Sequence, residues 1–361
     1  MSEEPNPSRP RTPTLNRRSL LGATVVAAAG AVSIGGFLFT EDRLGPVRLT
    51  ARRLVDGLQA ASGRYPGYRR NHAKGVAVSG HFESNGAGVE FSKAVVFEAG
   101  TYPLAGRFSL AGGNPFTADT PDARRGLGLR IHLPGGAEWR LALLNIPVFT
   151  DTGPQDFYDR TAAYAPDPAT GKPDAKRIRR YLDTHPKTVA ALQTIRQAPA
   201  ASGFANSTFH GLNAFECTAS DGTTTPVRWR LEPEATNSAS TGQGLDELFT
   251  GLSKDLKPGP LRWKLIVTLG DRSQDRTDDP TVAWPSSRRT VEVGTVVLTG
   301  LTTETAANVR DVNFDPLVLP DGLAASDDPV LQARSAAYVE SYRRRAGETA
   351  TRGPLRVEAL G

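Results

Sequence analysis

One pattern dominates the middle of this chain and limits what it can fold into: short apolar or alternating segments, each closed by a Gly, Pro or Asn turn. Val76–Phe82, Phe91–Phe97, Tyr102–Leu110, Gly128–Leu133 and Trp139–Leu144 follow one another in this way. Alternation sends successive side chains to opposite faces, the mark of a strand with one buried face. The pattern returns at Thr208–Ala219, Pro226–Leu231, Leu261–Leu269 and Thr290–Leu301. Eight or so antiparallel strands result, more contiguous than a doubly wound sheet allows. The prediction is an α+β fold with an antiparallel eight-stranded β-barrel core.

Helical spacing flanks and interrupts the strands. Pro46–Ala61 places apolar residues three and four apart, as an amphipathic helix does. A helical block runs from Pro154 to Gln197, notably Ala175–Leu192, with further helices at Leu245–Leu256 and Pro329–Gly347. A core in a chain of 361 residues can bury a large cofactor. The 43 basic and 38 acidic residues leave a scattered excess of +5, which predicts no nucleic-acid partner. The single cysteine, Cys217, excludes an intramolecular disulfide and Cys-based zinc or iron–sulfur sites. Met1 is the only methionine. So little sulfur suits an oxidising workplace, and equally a genomic composition bias.

The N-terminus reads as an address. Residues 1–13 are rich in Pro, Ser and Glu and predict disorder. Arg17-Arg18 then precede an uncharged Ala/Gly/Val run from Ser19 to Thr40. That arrangement is similar to a twin-arginine export signal, a route that carries folded proteins. Ala29-Gly30-Ala31 offers a cleavage site, whereas residues 19–40 are also long enough for a membrane anchor, which needs roughly 17–25 residues. Either way the chain is expected to be exported and to work in the periplasm or another extracytoplasmic space. Three parts follow: 1–45 as signal or anchor plus linker, 46–351 as the main domain, and 352–361 as a short tail.

Four pieces carry chemistry. Arg69-Arg70-Asn71-His72-Ala73-Lys74-Gly75 puts a histidine between a turn and the first strand. Gly106-Arg107-Phe108-Ser109 follows, with Ala118-Asp119-Thr120 and Arg124-Arg125-Gly126 behind it. Leu144-Asn145-Ile146-Pro147-Val148-Phe149 is the third. The fourth is Phe314-Asp315-Pro316-Leu317 with the run from Asp327 to Tyr338, which ends Leu331-Gln332-Ala333-Arg334-Ser335-Ala336-Ala337-Tyr338. Arg334 and Tyr338 are four apart on a helix and share a face, to which Arg345 returns. A neutral imidazole can take and return a proton near pH 7, and a hydroxyl on its other nitrogen fixes the tautomer. A nearby amide stabilises developing charge without titrating.

In this order, from about Val47 to Arg345, the pieces resemble the catalase superfamily. Because the chain stops soon after Tyr338, without a wrapping loop, it looks most like the minimal members, the catalase-related peroxidases. The resemblance implies a catalase-like barrel holding haem b, with Tyr338 as the iron ligand. It implies His72, Asn145 and Ser109 as the distal catalytic set. Arg69, Arg107 and Arg345 would meet the propionates, Arg334 would sit beside Tyr338, and Phe149 and Phe157 would wall the cleft. The implied activity reduces hydrogen peroxide or an organic hydroperoxide through a ferryl intermediate. A small, unidentified organic reductant completes the cycle, with weak catalase turnover beside it. Asn71 departs from the family, which has Val there, and predicts more water over the iron. His210 reads as structural. The alternatives are an exported haem carrier without turnover and a hydroperoxide isomerase on the same barrel. The oligomeric state stays open.

Overall fold

A computed structural model of the chain describes residues 49–349 other than 121, 241–243 and 305–308, together with Leu355. The proposed signal or anchor therefore lies outside the described residues, as does the proposed tail apart from Leu355, which is buried in the main core. Among the described residues no helix is long and apolar enough to cross a membrane.

Ten strands form one antiparallel sheet: β1 (Gly75–Ser84), β2 (Gly100–Leu110), β3 (Arg125–His132), β4 (Glu138–Leu144), β5 (Phe209–His210), β6 (Phe215–Thr218), β7 (Thr224–Pro233), β8 (Leu261–Leu269), β9 (Thr290–Thr302) and β10 (Leu323–Ala325). Pairings run β1-β2-β3-β4-β5-β7-β8-β9 and return to β1, so eight of them close a barrel. Closure removes the open edges of so long a sheet. β6 continues along the β7 edge that β5 leaves, and β10 pairs with β6 outside the ring. The eight-stranded barrel read from the sequence is the fold observed.

Among the described residues six α-helices decorate it: α1 (Ala51–Ser62), α2 (Pro154–Tyr164), α3 (Ala175–Thr184), α4 (Pro186–Gln197), α5 (Glu247–Leu256) and α6 (Pro329–Ala346). Alternation explains the core. On β8, Leu261, Trp263, Leu265 and Val267 point inward and are buried, while Lys264 points out to Glu292. Phe108 of β2 meets Phe204, Phe209 and Trp263 inside the barrel, with ring centroids 4.9, 5.7 and 5.9 Å away.

Two expectations give way. Phe91–Phe97 is not a strand: Phe91–Ala94 is irregular and the segment ends in a short 3₁₀ turn, Val95–Phe97. The Lys93 N–H donates to the Thr218 carbonyl and the Ser92 hydroxyl to that of Gly322, which diverts the segment from any ladder. Ala175–Leu192 is two helices, because Pro186 has no N–H to continue α3 and forces His185 out of helical geometry.

Register decides where a site can form. Phe108 faces the core, so Arg107 and Ser109 face outward. Pairing then aligns Ala77, Arg107, Gly128 and Ala142 in one row across β1–β4, and Gly75, Ser109, Gly126 and Leu144 in the next. These rows form the outer wall of the barrel beneath α6.

Candidate active site

Between that wall and helices α1, α2 and α6 lies a cavity of about 1170 Å³, measured out to its open mouth. The wall contributes Arg107, Ser109, Gly126 and Gly128, and α6 contributes Ala333, Arg334, Ala337, Tyr338, Ser341 and Arg345. Those α6 positions are spaced so that one stripe of the helix faces the cavity. Asp328 starts the helix, its carboxylate accepting from the Val330 N–H at 2.8 Å, and Pro329 occupies the first turn.

His72 enters from the loop before β1 with a left-handed backbone, φ 56°. The Asn71 amide oxygen holds that turn, accepting from the N–H of His72 (3.0 Å) and of Gly112 (2.8 Å). The Asn71 oxygen is thus committed to backbone, which gives the polar side chain a local structural role. His72 Nδ1 lies 3.1 Å from Ser109 Oγ. When the Ser109 hydroxyl donates to the Gly126 carbonyl, 3.5 Å away, Nδ1 carries the ring proton and Nε2 keeps a free lone pair. A Cβ on Gly126 would come within 2.9 Å of both His72 Nδ1 and Ser109 Oγ, so glycine is required beneath the pair. Burial, and after it the charges of Arg107, Arg334 and Arg69, pushes the imidazole down from 6.5 to about 3. It is neutral at physiological pH.

Three guanidiniums gather at one end of the cavity. Arg69 Nη2 donates to the carbonyls of Val309 (3.0 Å) and Val312 (2.9 Å), yet its Nε is buried without a hydrogen-bond partner. Arg345, 1% exposed, donates to the carbonyls of Arg310 and Val312. Arg107, 3% exposed, donates from Nε and Nη2 to Glu304 and from Nη2 to the Ala73 carbonyl. A Cβ at Gly75 would fall 2.4 Å from the Arg107 guanidinium carbon, so that glycine makes its room. Burial, then Arg345 and Arg107, holds Arg69 well below its ordinary value, and burial followed by Arg107 brings Arg345 to about 10.

On the α6 side, Tyr338 packs against the small apolar cluster of Ala77, Val309 and Phe314. Arg334 donates to the Asn213 amide oxygen and, at 2.8 Å, to the Ala142 carbonyl. Asn213 in turn donates to the Asp328 carboxylate at 2.6 Å. Phe149 and Phe157 stack 6.0 Å apart at another side of the cavity. The cavity wall therefore brings together His72, Ser109, Arg69, Arg107, Phe149, Phe157, Arg334, Tyr338 and Arg345. Asn145 stands apart from them: it follows Leu144 of the wall, and its amide oxygen accepts from the Arg125 N–H at 2.7 Å. His210 lies on β5, pushed by burial and by Arg230 to about 4, away from the cavity lining.

The donor set fits the expected group. A porphyrin edge brings two carboxylates, and the clamp offers three guanidiniums against the single carboxylate of Glu304, with one buried Nε still in need of an acceptor. Sequence reasoning gave no site role to Glu304 or Asn213, and Phe314 and Asp328 stood in the fourth motif without a contact of their own. Glu304 belongs to no motif, and the glycines of the wall gain meaning only from the register.

Known proteins agree with this geometry. A family model described as Catalase matches residues 37–356. A catalase-related peroxidase of Synechococcus elongatus is 35% identical over 328 residues, covering 90% of this chain and 94% of that one. A protein of the same name from Mycolicibacterium paratuberculosis is 34% identical, covering 83% and 96%. Among solved structures, catalase A of Saccharomyces cerevisiae shares the fold with a TM-score of 0.70 at 21% identity, over 79% of this chain and 62% of that one. A fungal catalase gives 0.70 at 22% identity, over 82% and 63%. The chain thus spans under two thirds of those solved catalases and nearly all of the shorter relatives. With the barrel, the cavity and the family model in agreement over most of its length, the chain belongs to the catalase family.

Proposed function

We propose that this protein is a haem b peroxidase that reduces hydrogen peroxide or an organic hydroperoxide at the expense of a small organic reductant. The observation that carries the reading is His72, a neutral imidazole tied through Nδ1 to Ser109 and lining the same cavity as Tyr338 and the arginine clamp. When bound, haem would supply, from its iron and porphyrin together, the two electrons that cleave the peroxide O–O bond, to be restored by the reductant. Tyr338 would hold the iron from α6, and Arg69, Arg107 and Arg345 would hold the carboxylates. His72 Nε2 takes the proton from the inner peroxide oxygen and delivers it to the outer one, which leaves as water or alcohol. Ser109 keeps Nδ1 protonated, so the base works through one nitrogen only. Asn145, next in the chain to Leu144 of the wall, has its amide oxygen held by the Arg125 N–H, which leaves its amide nitrogen as the donor it would offer the peroxide.

Relatives named catalase-related peroxidase support this class of activity. A carrier would have no use for a strained, tautomer-fixed histidine in its cavity, which favours turnover. The paired arginines and the apolar run to Thr40 support export and a reaction outside the cytoplasm. The test is an absorption spectrum of the purified protein, then peroxide addition with a dye and an oxygen electrode together. A ferric Soret band, dye oxidation and little oxygen release are expected. Tyr338→Phe should shift or lose the Soret band, and His72→Ala should keep it while losing the peroxide reaction. A Soret band with no peroxide reaction in the wild type would make the protein a haem carrier.

A further inference from the structure

The clamp contains a group that a simple anion site would not include. Glu304, just beyond the end of β9, lies against Arg107 through both carboxylate oxygens, at 2.5 and 3.1 Å. Its Oε1 is also 4.0 Å from Arg69 Nε. The Glu304 side chain is only 11% exposed, so solvent screens these interactions weakly. The contact to Arg69 is too long for a hydrogen bond, and Arg69 Nε keeps no partner. Glu304 therefore neutralises the cluster without satisfying it.

We propose that Glu304 is a resident counter-ion that competes with the porphyrin's carboxylates for Arg107 and Arg69, lowering haem affinity in return for stability of the protein before haem loading. The charges close. Three guanidiniums and one carboxylate leave a clamp of two positive charges, and the two carboxylates of haem bring the sum to zero. Without Glu304 the same three cations would face one another uncompensated; burial first, and then their mutual repulsion, already lowers the proton affinity of Arg69 and Arg345, and Glu304 offsets part of that. With Glu304, each entering carboxylate meets a like charge at the clamp. The backbone supports the placement, since the Glu304 carbonyl accepts from the Val309 N–H at 3.0 Å and so fixes the residue against the loop that Arg69 caps.

The inference rests on the haem reading of the cavity, and the test separates the two. Haem and haem dimethyl ester, which lacks free carboxylates, are titrated into wild-type, Glu304→Gln and Glu304→Asp protein and followed at the Soret band. Removing one like charge near the bound carboxylates should tighten haem binding roughly tenfold in Glu304→Gln. The ester should bind all three alike, and Glu304→Asp, which keeps the charge, should stay near wild type. The melting temperature of haem-free Glu304→Gln should fall below that of the wild type. Should Glu304→Gln fold only with haem present, the holoproteins are compared by transfer of haem to a scavenger protein, and Glu304→Gln should release it more slowly. Weaker haem binding or faster release in Glu304→Gln would overturn the proposal and make Glu304 a support for Arg107. An equal gain with the ester, or in Glu304→Asp, would overturn it too. Wild-type protein that takes up neither haem nor the ester would sink the haem reading instead.

Discussion

A half-buried histidine held neutral leaves a thermodynamic record. The His72 imidazole sits at about 3 instead of 6.5, burial being the largest cause and Arg107, Arg334 and Arg69 adding to it. The folded state thus binds fewer protons than the unfolded chain between those values, and stability falls as pH drops below 6.5, levelling off near 3. A tenfold difference in proton affinity is worth about 1.4 kcal/mol, a slope reached once the pH is well below 6.5, so His72 alone should cost the fold about 2 kcal/mol between about pH 6.5 and 4.5. The assay is urea denaturation of haem-free wild-type and His72→Gln protein across that range. Carboxylates titrate alike in both and cancel in the difference, which should grow by up to about 1.4 kcal/mol for each pH unit of acidification. Kinetics give an independent reading. Haem carboxylates offset the arginines' contribution and leave that of burial, so the acid limb of the peroxide reaction should lie below about pH 5. Parallel stability curves for the two proteins, or an acid limb near the ordinary histidine value that vanishes in His72→Gln, would refute the neutral assignment.

Two further outcomes follow from packing. Gly126→Ala places a Cβ 2.9 Å from His72 Nδ1 and Ser109 Oγ. It should cost about 1–3 kcal/mol in a denaturation assay and slow the peroxide reaction more than roughly tenfold while the Soret band persists. Lys74, 1% exposed, donates to Asp119 at 2.6 Å and pairs ionically with Asp246 at 2.9 Å. Burial already raises the Asp119 carboxyl above its usual range, so Lys74→Met should cost about 3–5 kcal/mol by urea denaturation, and Asp119→Asn in the same chain should restore part of it.

How much of this could be read in the sequence depends on how far each signal reaches along the chain. Leu261–Leu269 is observed as a strand with the predicted ends, because its inward positions Leu261, Trp263, Leu265 and Val267 are a complete set of large apolar residues. Phe91–Phe97 looks equally apolar and is not a strand, since its backbone is claimed by Thr218 and Gly322, far away in sequence. The site divides in the same way. His72, Ser109, Tyr338 and the three arginines stand in short motifs and meet at one cavity. The need for glycine at 126 appears only once β2 and β3 are paired so that Gly126 opposes Ser109. Glu304 and Asn213 act through partners 197 and 121 residues distant, which no local spacing reveals.

The economy of the site lies in four consecutive residues whose side chains leave the chain in different directions. Arg69 reaches the Val309–Val312 loop and the clamp. Arg70 turns to the far end of α6, where Glu348 accepts from it at 2.8 Å through both oxygens, and to Gln59 of α1. Asn71 spends its oxygen on the local turn, and His72 faces the cavity. A left-handed histidine is costly on its own, of the order of 1–2 kcal/mol. Here the turn is braced on both sides, by the Ala73 N–H donating to the Gly112 carbonyl and by Arg107 donating to that of Ala73. Arg107 is also the arginine that Glu304 holds. The distal base and the carboxylate clamp therefore share one guanidinium, and Arg70 ties both to the helix that carries Tyr338. A cofactor seated on that clamp would meet a base whose orientation is already set by the barrel wall, which is what an acid–base group needs to act without reorganising.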